Sequence, residues 1–98
     1  MLESEFQAKL IKQLEKMFPG CIILKNDTSY LQGIPDLSIF FKDKWAMLEC
    51  KKSKDAPYRP NQEYYLDKAS GMSFSATIFP ENKNEVLQSL NRFLKGGK

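Results

Sequence analysis

Histidine is absent from this 98-residue sequence. That removes Ser–His and Cys–His nucleophile pairs, histidine-ligated zinc hydrolysis and imidazole general bases. Any catalysis must use carboxylates, lysine or a metal. Cysteine is scarce: Cys21 and Cys50 lie inside apolar stretches without CxxC spacing, as expected of buried thiols in a reducing compartment and not of a disulfide framework or a structural zinc site. No apolar run is long enough to cross a bilayer, and no charged-then-apolar leader follows Met1, so a cytoplasmic protein is expected. Charge is not strongly one-sided. Fifteen basic against twelve acidic residues leave +3, which favours a polyanionic partner only weakly, because several acids gathered in one site alter the balance elsewhere.

What is present suits one domain spanning residues 1–98, with 42% hydrophobic and 12% aromatic residues to fill a single core. Ser4-Glu5-Phe6-Gln7 has capping-box form, and Phe6, Leu10, Leu14, Met17 and Phe18 recur at helical spacing until Phe18-Pro19-Gly20. This predicts an amphipathic helix from about residue 3 to 18. Cys21 to Lys25 reads as a strand and Asn26 to Gly33 as a polar loop. Asp36 to Phe41 and Trp45 to Lys52 flank Lys42-Asp43-Lys44, predicting an antiparallel hairpin. With Asp43 and Lys44 as the turn residues, Ser38 faces Glu49 and Asp36 faces Lys51, so these four polar side chains share one face. After a stiff linker carrying Pro57 and Pro60, Asn61 to Ser70 reads as a helix ended by Gly71, with Gln62 in its first turn. Met72 to Phe79 is a further strand. Asn82-Lys83-Asn84-Glu85 resembles a second capping box, opening a helix that turns Val86, Leu87, Leu90, Phe93 and Leu94 inward, and Lys95 to Lys98 are expected to fray. The order αβββαβα indicates an α/β fold with a central mixed sheet flanked by helices.

Two acids stand out. Asp36, in Gly33-Ile34-Pro35-Asp36-Leu37, and Glu49, in Leu48-Glu49-Cys50-Lys51-Lys52, each sit at the edge of an apolar strand-like run. A carboxylate is costly to bury unless a cation or hydrogen bonds compensate it, and one Mg2+ held by both would serve. Lys51, two residues after Glu49, projects to the same strand face as a compact positive charge. Lys25, Lys52, Lys54 and Arg59 would hold flanking phosphates through charge without reading sequence. Each also has an ordinary explanation: Asp36 as a strand start, Glu49 and Lys51 as an exposed edge pair, the basic residues as solvated surface charge. Tyr58, Tyr64 and Tyr65 fit local packing better than a stacking platform.

These residues together resemble the PD-(D/E)XK nuclease superfamily. Pro35-Asp36 matches the first half of its signature and Glu49-Cys50-Lys51 the second. Gly33 before the first half, and Pro60-Asn61-Gln62 before a helix, are similar to the VRR-NUC branch, related to archaeal and phage Holliday-junction resolvases. The resemblance spans roughly residues 5 to 80. It implies a restriction-endonuclease-like core and Mg2+-dependent cleavage of branched or structured DNA, with Mn2+ as a candidate substitute ion. It further implies Asp36, Glu49 and the Cys50 carbonyl as metal ligands, an additional acid on the first helix for which Glu5 is the nearest match with Glu3 close by as the alternative, Lys51 as catalytic lysine, Gln62 as a further site residue, and a homodimer. The competing readings are a noncatalytic nucleic-acid-binding module on the same fold and a nuclease acting on RNA.

Overall fold

The computed structural model describes residues 2–96; of the tail predicted to fray, Gly97 and Lys98 lie outside the described residues. Seven elements follow in the predicted order: α1 (Glu3–Met17), β1 (Ile22–Lys25), β2 (Leu37–Phe41), β3 (Lys44–Cys50), α2 (Gln62–Met72), β4 (Phe74–Ile78) and α3 (Lys83–Lys95). The protein is α/β, with a four-stranded sheet in the order β1-β2-β3-β4. β1, β2 and β3 run antiparallel in sequence, and α2 returns the chain so that β4 pairs parallel with β3.

Period-2 alternation sorts the sheet into two faces. Leu37, Ile39 and Phe41 of β2, Ala46, Leu48 and Cys50 of β3, and Ile78 of β4 form one buried cluster with Phe6, Leu10 and Leu14 of α1, Phe18, and Val86, Leu87, Leu90 and Leu94 of α3. The apolar stripes of α1 and α3 are the ones their 3.6-residue periodicity predicts. Leu10, Leu14, Phe18, Leu48 and Leu90 are essentially sealed from solvent, and such burial contributes about 1.5–3 kcal/mol per large side chain. α2 covers the opposite face, where Tyr65, Ala69 and Met72 line a shared pocket with Trp45 and Met47.

Several boundaries differ from expectation. The hairpin turns on Lys42 and Asp43, since Phe41 pairs with Lys44, and Lys42 takes a left-handed conformation with φ of +57°. Lys44 belongs to the strand because its ammonium is anchored on α3, donating to the Phe93 carbonyl at 3.1 Å beside the Phe93 ring. Ser38 therefore faces Met47, not Glu49, and the pairing continued one step past Leu37–Leu48 sets Asp36 beside Glu49, not Lys51. The shift is by two positions, so face parity survives. Gly71 does not end α2. The helix runs on to Met72, and Ser73 stops it, its N–H donating to the Ala69 carbonyl and its hydroxyl to the Trp45 carbonyl. Neither predicted capping box forms as written. α1 begins at Glu3, with Glu5 Oε1 accepting the Leu2 N–H at 3.0 Å. Asn82 turns its side chain back, accepting from the Phe79 N–H and donating to the Thr77 carbonyl. Lys95 is not frayed: it closes α3 with its ammonium over the Phe18 ring.

Candidate functional site

The site lies where β2 begins and β3 ends. Pro35 is buried, and its carbonyl accepts a hydrogen bond from Asn26 Nδ2 at 2.8 Å. Asn26 also donates its backbone N–H to the Asp36 carbonyl at 2.8 Å and accepts from the buried Ser38 hydroxyl at 3.1 Å. One residue thus fixes the segment that carries Asp36. The Asp36 carboxylate reaches across to β3, where Oδ2 accepts the Cys50 N–H at 3.0 Å.

Glu49 is buried beside it on the α2 face. Its Oε2 accepts from Gln62 Nε2 at 2.7 Å and lies 3.6 Å from Lys51 Nζ, whereas Oε1 is buried without a hydrogen-bond partner. Buried polar atoms in native proteins are seldom left unpaired, because each carries its full desolvation cost. Lys51 is buried too, its ammonium donating to Gln62 Oε1 at 2.8 Å and to the Pro57 carbonyl at 3.0 Å. Gln62, in the first turn of α2, is the hub: Oε1 also accepts the Arg59 N–H at 2.6 Å. These bonds settle which end of its amide is oxygen.

A cavity of about 250 Å3 opens onto these groups, lined by Asp36, Glu49, Lys51, Gln62, Arg59 and Glu3, with Gly33 in its wall. Gly33 is required there twice over. Its φ is +93°, and a Cβ would fall 2.6 Å from the Asn61 carbonyl carbon and Cβ, so this close approach of the loop to the start of α2 requires a residue without a side chain.

Burial dominates the electrostatics. It pushes the Glu49 carboxyl up to about 7, with the neighbouring Asp36 charge adding to the rise and Lys51 opposing it. Burial raises Asp36 as well, against the Cys50 hydrogen bond and the Lys51 and Arg59 charges. The Cys50 thiol, in the core cluster under α1, is pushed to about 12 by burial, so only its backbone is available to the cavity side.

The cavity brings together Asp36, Glu49, Lys51, Gln62 and Arg59. Lys25, Lys52 and Lys54 are exposed outside its lining. Glu5 is exposed and occupied with the helix start, and Glu3 is the acid of α1 that lines the cavity. The two are two residues apart and so point to opposite sides of α1, and no local pattern in the sequence tells which one turns toward the strands. Asn26 carried no signal beyond its place in a polar stretch. Among the described residues no three or more Asp, Glu, Cys or His side chains are grouped for a metal, so an ion here would rest on two carboxylates and backbone or water. Compared with known proteins, the chain matches no family model, no curated sequence and no solved structure.

Proposed function

We propose that this protein is a Mg2+-dependent endonuclease that hydrolyses phosphodiester bonds in branched or otherwise structured DNA. The observation that carries the reading is the unpartnered, buried Oε1 of Glu49 beside a second carboxylate that is also held against its preference. A hard divalent cation fits this donor set, since it would occupy the free oxygen and offset the repulsion between the acids. Asp36, Glu49 and the Cys50 carbonyl would hold it, and Glu3 lines the same cavity. Bound there, Mg2+ supplies neutralisation of charge growing on the phosphate and acidifies the attacking water.

The chain's own groups do the remainder. Lys51, with two of its three protons fixed by Gln62 and Pro57, keeps one for the attacking water or a nonbridging oxygen. Gln62 orients both Lys51 and Glu49. Arg59 at the cavity, and Lys25, Lys52 and Lys54 outside it, hold flanking phosphates, so binding weakens as salt rises. The resemblance to PD-(D/E)XK nuclease signatures supports the same assignment. A two-fold homodimer would supply the two sites needed to cut both strands symmetrically. Two free cysteines suit a reducing, cytoplasmic setting.

A rival reading, a noncatalytic nucleic-acid-binding module, is favoured by the ion pair and amide network that already tie Glu49, Gln62 and Lys51 together. Metal dependence separates the two. Labelled four-way, flap and linear duplex DNA, with matched RNA, should be incubated with the protein in Mg2+ or chelator. Cutting in Mg2+ alone, lost in Asp36→Asn and Lys51→Ala while both variants still bind DNA, is the expected outcome. Turnover retained in either variant would overturn the site, and binding without cutting on every substrate would favour the module.

A further inference from the structure

The segment from Asn26 to Asp36 is a loop closed at its neck. Three hydrogen bonds join its two ends, Asn26 donating to the Pro35 and Asp36 carbonyls and accepting from the Ser38 hydroxyl, the arrangement of a compact Ω-loop. Its far end is also fixed. Asp27 Oδ1 accepts from the Ser29 N–H at 2.9 Å, the Ser29 hydroxyl at 2.5 Å and the Tyr30 N–H at 3.3 Å, while the Asp27 carbonyl accepts from Tyr30 and Leu31. On this braced tip Tyr30 is 87% exposed, more than any other large hydrophobic side chain among the described residues. Its ring meets no other aromatic ring and no cation among them.

A lone exposed tyrosine needs no explanation by itself. Here the same loop supplies Thr28, Gln32, Gly33 and Ile34 to the wall of the acidic cavity, and its neck is Asp36. Thr28 and Gln32, two positions to either side of Tyr30, line that cavity, so a nucleic-acid strand whose phosphate enters it meets a loop that carries an exposed aromatic ring. Tyr58 differs: its hydroxyl is tied to Thr77 at 2.7 Å and its ring lies beside the Lys51 ammonium.

We infer that Tyr30 stacks on an unstacked nucleobase next to the phosphodiester bond held in the Asp36–Glu49 cavity, so that the protein selects DNA with an unpaired or flipped base at the cleavage site. The inference rests on the phosphodiester-site reading above. In intact duplex both faces of each base are covered by neighbours, and the tyrosine gains nothing. At a junction crossover, flap or bulge a face is free, and one base–aromatic stack discriminates between the two.

The test compares wild type, Tyr30→Ala and Tyr30→Phe for binding to a four-way junction, a bulged duplex and an intact duplex, with Ca2+ in place of Mg2+ to limit turnover. 2-Aminopurine is placed at the first unpaired position. Tyr30→Ala should lose about tenfold in affinity for the bulged and branched DNA and less than about twofold for duplex, and Tyr30→Phe should match wild type. Fluorescence of 2-aminopurine should be quenched by wild type and Tyr30→Phe and recover in Tyr30→Ala. Equal losses on all three DNAs, or none on any, would overturn the stacking role. If Asp36-dependent cutting persists while Tyr30→Ala behaves as wild type, only this inference fails; if wild type neither binds nor cuts any DNA, the nuclease reading fails with it.

Discussion

In metal-free buffer Glu49→Gln should stabilise the protein, and increasingly so as pH rises. The Glu49 carboxyl moves from its ordinary 4.5 to about 7 in the fold, chiefly because it is buried and secondly because Asp36 is charged beside it. A raised acid means that the folded chain holds the proton more tightly than the unfolded chain does. Between about pH 4.5 and 7 unfolding therefore releases a proton, and raising the pH favours unfolding. The cost is absent below the lower value, grows across that window and is constant above it. The gap between 4.5 and about 7 corresponds to about 3 kcal/mol, a large fraction of the stability of a small domain. Glutamine has the shape of the protonated acid and still accepts from Gln62 Nε2, so the variant lacks the penalty at every pH.

Urea unfolding of both proteins in chelator at pH 5, 6, 7 and 8 measures this directly. The stability difference should stay under about 1 kcal/mol at pH 5 and approach 3 kcal/mol at pH 8. A difference that does not change with pH, or a variant less stable than wild type at pH 8, would refute the claim that Glu49 is held against its ionisation. Adding Mg2+ supplies a second arm. At about 100 times its dissociation constant, an ion bound only by the folded state stabilises by about 2.7 kcal/mol, which should appear in wild type at pH 8 and largely vanish in Glu49→Gln.

Two other substitutions probe how the site is assembled. Gly33→Ala combines a left-handed backbone with a Cβ driven 2.6 Å from Asn61, whereas Gly20→Ala has a φ of +89° with open space around it. Both should lose roughly 1 kcal/mol for the backbone. Only Gly33→Ala should lose more in thermal melts and also depress cleavage, and equal destabilisation of the two would show that the Asn61 contact is unimportant. Gln62→Leu removes the acceptor for Lys51 and the Arg59 N–H and the donor to Glu49. On the proposed reading it should lower kcat about a hundredfold with little change in KM for DNA, since the reacting groups lose their alignment while the surface charges proposed to hold phosphate remain; an unchanged kcat would reduce Gln62 to a helix-start residue.

The elements were legible where burial has a period. α1 and α3 carry continuous apolar stripes, and the hairpin alternates cleanly enough that Asp36 and Glu49 fall on one face with either two-residue turn. Register was not legible for the same reason. Placing the turn at Asp43-Lys44 or at Lys42-Asp43 keeps Leu37, Ile39, Ala46 and Leu48 inward, and the deciding contact is a tertiary one, Lys44 with Phe93. Gly71 misled because glycine commonly ends helices, yet here it sits without a left-handed backbone inside α2, where Ser73 and the Trp45 carbonyl hold the following residue. Asn26 was beyond reach, and Glu3 stood open beside Glu5 as the first-helix acid with no local motif to choose between them. Their roles depend on residues 9 to 12 positions away for Asn26 and on the strand ends for Glu3, neither of which leaves a local pattern.

The distribution of buried polarity distinguishes this corner from an ordinary ion pair. Among the described residues the buried polar or charged side chains are Ser38, Glu49, Lys51 and Gln62; the rest of the core is apolar. Ser38 belongs to the Asn26 clamp behind Asp36, and the other three form one network facing the cavity. A structural salt bridge that stabilised this fold would be expected to satisfy all of its members, because a partly satisfied buried network is worse than an apolar core. Here the satisfaction is uneven. Gln62 spends its oxygen on Lys51 and the Arg59 N–H and gives Glu49 one donor, while Glu49 Oε1 has no partner and the neighbouring Asp36 repels it. Removing that defect would take only a hydrogen-bond donor beside Oε1, and Gly33 in the wall of the same cavity admits no side chain that could supply one. The fold thus keeps two carboxylates, an ammonium and open space together at a local cost, and it is on this pattern that the proposed cation and phosphodiester site rests.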